Sequence, residues 1–370
     1  MQILAVDVGT GTQDILLFDS ERELENCPAM IMPSPTTLVA DGIRAATAQR
    51  RDVLLTGYTM GGGPSGWAAR DHLEAGLRVF ATPDAARTFD DDLEAVQQMG
   101  VILVSEDEAA HLPDAVPVHM RDLDYANIEG AFARFGVRLR PDVLAVAVFD
   151  HGAAPPGLSD RVFRFNYITD AVRRRNSLTA FAYLAPDIPP ALTRFQAVAA
   201  NAASVCPGVP LVVMDTAPAA MLGALEDPVV RSHRSSLLCN VGNMHTLAFH
   251  LIDRRIVGLF EHHTGRLTVG KLDAYLEQLA RGTISNQEVF EDSGHGALVV
   301  EENAEKPGLL AVTGPRQRLL LGSAWQPHFA VPHGSMMLAG CFGLLRAVAA
   351  RLPETRSAIE RSSIGATDAS

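Results

Sequence analysis

The stretch AVDVGTGTQDILLFD, residues 5–19, holds the densest set of residues that could do chemistry. An apolar run ends on Asp7; Gly9, Thr10, Gly11 and Thr12 follow, and a second apolar run begins. Glycines in a turn let backbone N–H groups converge on an anion, because no Cβ blocks the approach. Thr10 and Thr12 add hydroxyl donors. Asp7 would repel a phosphate directly, so its place here makes sense with a cation between the two. Mg²⁺ fits, since it keeps waters and is held by one or two carboxylates plus phosphate oxygens. The Lys-Ser/Thr ending of a Walker A loop is absent. The alternative is a glycine-rich hairpin with a surface aspartate.

Three other stretches carry reactive groups. VFDHG, residues 148–152, ends a strongly apolar strand on Asp150 and His151. Either could take a proton from a hydroxyl or water attacking a phosphate; equally, Asp150 could simply cap the turn. TGYTMGGGP, residues 56–64, places Gly61, Gly62 and Gly63 after a strand. Three glycines are costly to order, which suits a close backbone approach to phosphate or substrate, or else a flexible turn. EHHTG, residues 261–265, holds paired histidines. Neighbours on a strand point apart and cannot easily share one metal, and no cysteine lies nearby, so a zinc site is not expected; either histidine could face a cleft.

The elements that must position these groups follow from patterning. Residues 2–7, 14–19 and 28–32 read as three short strands, and 52–57 and 141–152 as two more. Residues 83–98, 125–136 and 187–204 read as helices, and 209–225 as a strand followed by a small-residue helix. The layout then restarts: 235–263 is strand, Gly turn, strand, charged turn, strand. Residues 269–281 read as a helix, 308–315 as a strand with a tight turn, and 332–352 as a long helix. The polar tail 353–370 is expected to fray. Strands and helices alternating in two halves predict an α/β chain.

The motif VDVGTGTQDILLFD resembles the first phosphate motif of the superfamily of actin, sugar kinases and heat-shock chaperones (ASKHA). Four further stretches match its layout in order: MDTAPAAMLGAL (214–225), LLCNVGNMHTLAFHL (237–251), LLAVTGP (309–315) and MLAGCFGLL (337–345). The resemblance implies a two-domain actin-like ATPase fold of the ribonuclease H-like kind, with a nucleotide cleft between the domains. Domain I would span 1–230, with an insertion at about 52–120, and be completed by the helix 335–352; domain II would span 231–334. It places Asn240, Gly242, Asn243 and His245 in the second phosphate hairpin and Gly314 in the adenosine turn. Asn240 stands where the family usually has an aspartate and can hold a metal-bound water without adding charge. Pro315 stands where a second glycine is common. The chain also resembles a prokaryotic family labelled as similar to pyruvate formate-lyase activating enzyme. That activating chemistry needs a CxxxCxxC cluster motif, which this sequence lacks.

Composition narrows the classes. The chain has 370 residues and a formal net charge of −12, with no long basic run, so nucleic acid and anionic membranes are not expected partners. No apolar run reaches the ~20 residues of a membrane helix. The stretch after Met1 lacks a basic n-region and meets Asp7, which predicts a cytoplasmic chain. Cys27, Cys206, Cys239 and Cys341 are far apart, predicting buried free thiols. The expected function is an ATP- and Mg²⁺-dependent phosphotransferase or ATPase acting on a small molecule. A nucleotide-binding regulator with a protein partner or homo-oligomer is the second reading, and a metal-dependent hydrolase the third.

Overall fold

The computed structural model describes residues 1–363. Strands β1 (Gln2–Val8), β2 (Thr12–Asp19) and β3 (Ala29–Pro33) form an antiparallel meander. The chain then builds a separate parallel sheet from β4 (Val53–Gly57), β5 (Val79–Ala81), β6 (Ile102–Leu103) and β7 (Val116–Met120), in the order β6-β5-β4-β7. It returns with β8 (Val143–Val148), β9 (Ala182–Leu184) and β10 (Leu211–Asp215), giving a six-stranded sheet ordered β3-β2-β1-β8-β10-β9. Strands β1, β8 and β10 run parallel and are buried almost throughout, which is why they read as unbroken apolar runs.

A second six-stranded sheet follows. It contains β11 (Ser235–Val241), β12 (His245–Ile252), β13 (Arg255–His263), β14 (Gly296–Val299), β15 (Leu310–Thr313) and β16 (His328–Phe329). Its order is β14-β13-β12-β11-β15-β16. The inner pattern repeats that of the first sheet: a three-stranded antiparallel meander whose first strand pairs in parallel with a later one. This duplicated α/β arrangement is the actin-like ATPase fold.

Two helices rich in small residues join the sheets. In the pair Thr216–Ala224 and Ala339–Arg351, Gly223 faces the Ala339 carbonyl and Gly343 the Ala219 carbonyl so closely that a Cβ on either would overlap it. The backbones therefore touch, which explains the small-residue composition. One core runs through this junction, holding Ile3 and Phe18 of the first sheet, Phe249 of the second and Leu345 of the helix. The β4–β7 sheet has its own core with the helix Pro35–Ala48, including Ile43, Val53, Leu55 and Val79.

Several elements differ from the sequence expectations. Residues 83–98 form two short helices, Pro83–Ala86 and Leu93–Gln98, and the link between them faces the cleft described below. The helix expected from 187 starts at Thr193, after Pro189 and Pro190, and the long helix starts at Ala339, beyond a turn where His333 takes φ 48°. The tail does not simply fray. Arg356–Ser363 is helical and buries Ile359, while 364–370 lie outside the described residues. The helices Pro35–Ala48 and Asp160–Arg174 carried no expectation, although the second buries Arg164, Phe165, Ile168, Ala171 and Val172 at helical spacing. No described helix is long and apolar enough to cross a membrane.

Candidate functional site

The two meanders present their first turns to one cleft of about 600 Å³ between the two large sheets, a volume that suits a small ligand. Its wall includes Asp7, Gly9, Thr10, Thr12, Gly61, Gly62, Gly63, Asp150, His151, Asn240, Gly242, Asn243, His245 and Gly314. Gly11 lies at the rim instead. It abuts the second hairpin: a Cβ on Gly11 would sit 2.8 Å from Asn243 Nδ2.

The first turn is built from its neighbours. Gly9 N–H donates to the Thr12 carbonyl at 2.9 Å and closes the turn. Ser34, the N-cap of the helix Pro35–Ala48, donates through Oγ to the Thr10 carbonyl at 2.7 Å. At the floor, Asp7 and Asp14 are cross-strand partners. Thr216 Oγ1 donates to Asp7 Oδ1 at 2.6 Å. Gly340 lies against Asp7 so closely that a Cβ would overlap Oδ2. Burial pushes Asp7 up to about 7, Asp215 adding and Thr216 opposing. Burial and then the Asp7 charge push Asp14 up to about 8. Asp14 Oδ1 is buried without a hydrogen-bond partner. Two buried carboxylates with an orphaned oxygen and, among the described residues, no cationic side chain paired with them suit a divalent cation held with its waters.

At the end of β8, Asp150 takes the capping place that the sequence left open to it. Its Oδ1 accepts from Gly152 N–H at 2.8 Å and its Oδ2 from Phe195 N–H at 2.9 Å. Burial pushes the carboxyl to about 6, against these two N–H groups. Asp150 therefore shapes the 149–152 turn and anchors it to the helix Thr193–Val205. His151 is exposed and lines the cleft, its ring edge-on to those of Phe149 and His245.

The glycine loop is tightly packed rather than open. A Cβ on Gly61 would lie 2.7 Å from Arg194 Nη2, and one on Gly62 would lie 3.1 Å from the Thr88 carbonyl. Gly63 takes φ 66° as the N-cap of the helix Pro64–Glu74, beside Thr10. Arg194 pairs with buried Asp122 at 2.7 Å and also donates to the Phe149 carbonyl. It thereby locks the glycine loop to the β8 turn.

The second turn has the same closing bond, Gly242 N–H to the His245 carbonyl at 2.9 Å. Asn240 lies beside Thr313 of β15, and Gly314 takes φ 99° against the Val241 backbone, so this glycine is required by packing. The paired histidines diverge. His262 turns to Asp292, whereas His263 lines the cleft opposite His245.

Sequence reasoning passed over several residues here. Asp14 had a signal, a carboxylate inside a buried apolar strand. Arg164 had none: it is buried between Asp215, at 2.5 Å, and Glu261, at 2.8 Å, and lies 3.8 Å over the Phe149 ring. It ties β10 of one sheet to β13 of the other. His295 joins His151 and His245, three residues whose sequence positions give no hint of contact.

Known structures of similar outline include a ROK hexokinase from Thermus thermophilus, 13% identical over 96% of this chain and 100% of the other, TM-score 0.32. They also include the ethanolamine utilization protein EutJ from Carboxydothermus hydrogenoformans, 12% identical over 93% of this chain and 89% of the other, TM-score 0.32. A third is an exopolyphosphatase from Cytophaga hutchinsonii, 10% identical over 94% of this chain and 90% of the other, TM-score 0.29. A comparison with curated proteins finds no match. Residues 60–319 match one family model, and the chain belongs to that family, described as "Putative pyruvate format-lyase activating enzyme (DUF1786)".

Proposed function

We propose that the chain binds Mg²⁺ and ATP in the cleft and cleaves or transfers the terminal phosphate. One observation carries this reading: two turns with the same closing hydrogen bond abut, Gly11 against Asn243, above a buried Asp7–Asp14 pair. The turns offer backbone N–H groups, Thr10, Thr12 and Asn243 to phosphate oxygens. Asp7 and Asp14, with Asn240 on the facing hairpin, would hold the Mg²⁺ and its waters. The bound ion would offset phosphate charge.

The family's descriptive label implies activation of another enzyme through an iron–sulfur centre. The four cysteines are buried, free and far apart in sequence, without the motif such a centre needs. A nucleotide-dependent regulator is the second reading, favoured by the engagement of both Asp150 oxygens. The small molecule that would accept phosphate belongs to the first reading.

Calorimetry with ADP and ATP, with and without Mg²⁺, and a phosphate-release assay test the proposal. Asp7→Asn is expected to weaken Mg²⁺-dependent binding roughly 10- to 100-fold while the fold persists. Equal binding by parent and variant would remove Asp7 from the site. Tight Mg²⁺-dependent binding with no phosphate release from ATP, alone or with hydroxyl acceptors, would leave the regulatory reading.

A further inference from the structure

On the wall of the cleft formed by the second sheet, histidines converge from separate parts of the chain. His245 opens β12, His295 precedes β14, and His151 comes from the turn after β8 in the other sheet. Each offers a ligand nitrogen, and these nitrogens all lie within 4.8 Å of one another. The His263 ring stands 4.8 Å from that of His245 and 4.9 Å from that of His295.

Ordinary packing leaves this group unsatisfied. His295 is 1% exposed, and neither Nδ1 nor Nε2 makes a hydrogen bond. His245 Nε2 is likewise buried without one. A buried donor or acceptor left unpaired is costly, so such atoms on two rings whose centroids lie 5.0 Å apart need an explanation. The surrounding groups also hold the rings in place. His295 Nδ1 lies 3.0 Å from Glu261 Oε2, and Arg164 holds that carboxylate with two donors. The His245 ring stacks on Phe149 with centroids 4.2 Å apart and planes 7° from parallel. A carboxylate beside an imidazole, as Glu261 lies beside His295, is the arrangement that orients metal-binding histidines.

We propose that His151, His245 and His295 bind one divalent transition-metal ion, zinc in the first instance, with its remaining position open to the cleft. Imidazole nitrogens select this class over Mg²⁺ or Ca²⁺, which take oxygen ligands. Three histidines plus an open position is a set that zinc accepts. Tetrahedral zinc with bonds of ~2.1 Å places its ligands roughly 3.4 Å apart. Of the three side chains only that of His151 is exposed, so closing the set to that spacing would fall to its rotamer. Because His151 belongs to one sheet and His245 and His295 to the other, the ion would bridge the cleft. It is a second metal site, separate from Asp7 and Asp14.

Metal alone is the probe. With saturating Mg²⁺ present to occupy the Asp7–Asp14 site, Zn²⁺ titration by calorimetry is expected to show one ion per chain, and Co²⁺ to give the intense visible absorption of a four-coordinate site. His151→Ala changes an exposed side chain, so its metal-free melting temperature should match the parent. Its Zn²⁺ affinity should fall more than roughly 10-fold. His245→Gln should do the same to the cobalt spectrum. Asp7→Asn should leave both readouts unchanged, which keeps this site distinct from the nucleotide site. Failure of the parent to bind one Zn²⁺, or equal affinity in parent, His151→Ala and His245→Gln, would overturn the proposal.

Discussion

The hairpins β1–β2 and β11–β12 share a backbone and differ in charge. Each turns through three residues, Gly9-Thr10-Gly11 and Gly242-Asn243-Met244, and each closes with an N–H to carbonyl bond of 2.9 Å. Asp7 and Asn240 are both the penultimate residues of their first strands; Asp14 and Leu247 are their cross-strand partners. One hairpin thus carries two buried carboxylates where the other carries an amide and a leucine. A second pair of carboxylates facing the first would have to be balanced within the same small space, so the division of labour has an electrostatic reason. The first hairpin carries the charge that the proposed cation would need, while the second is neutral there and stands beside the histidine group.

The largest expected effect comes from cutting the tie between the two halves. Arg164→Met would leave Asp215 and Glu261 facing each other's surroundings without their shared cation. Breaking a fully buried pair in this way costs about 3–5 kcal/mol, so urea or thermal denaturation should show a marked loss of stability. A change within error would mean that the two sheets hold together without this ion network.

A middle effect concerns the carboxylates of the first hairpin. Both are held above their ordinary value, so the folded chain binds those protons more tightly than the unfolded chain does. The stability this contributes is present at low pH. It is lost as pH rises from the ordinary carboxylate range through about 7 for Asp7 and about 8 for Asp14. Metal-free melting temperatures should therefore fall across that window, with Mg²⁺ restoring more at pH 8.5 than at pH 5.5. Asp14→Asn, which brings the first hairpin closer to the second, should flatten the upper part of the fall. A flat profile in the parent would show that the pair is not buried in charge-free surroundings.

The smallest effect sharpens the comparison from the other side. Asn240→Asp gives the second hairpin the carboxylate of the first. Nucleotide binding without Mg²⁺ should weaken by a few-fold through repulsion, on the scale of the ~1 kcal/mol between unit charges about 4 Å apart across water. Binding with Mg²⁺ should change less. Equal changes in both titrations would place Asn240 away from the phosphates.

Local signals made the hairpins legible. Apolar runs interrupted by glycine at matching places announce two meanders, and Asp7 at a strand end before Gly-Thr-Gly-Thr marks a turn that the structure places on the cleft wall. These depend on a few neighbouring residues, because turn chemistry and strand burial are local preferences. The helix Asp160–Arg174 was obscured by its arginines, since the one that matters, Arg164, is buried by partners 51 and 97 residues away. The same distance hid the fate of Asp150: the N–H that occupies its Oδ2 belongs to Phe195, 45 residues on. His151, His245 and His295 have no spacing that a motif could capture; two sheets and their connecting turns bring them within 4.8 Å. The glycines were visible as glycines, but their reasons were not. Gly223, Gly340 and Gly343 are small because another backbone or Asp7 lies where a Cβ would be. Residue type sets what each group can do, whereas only packing decides which groups face one another and which are already engaged.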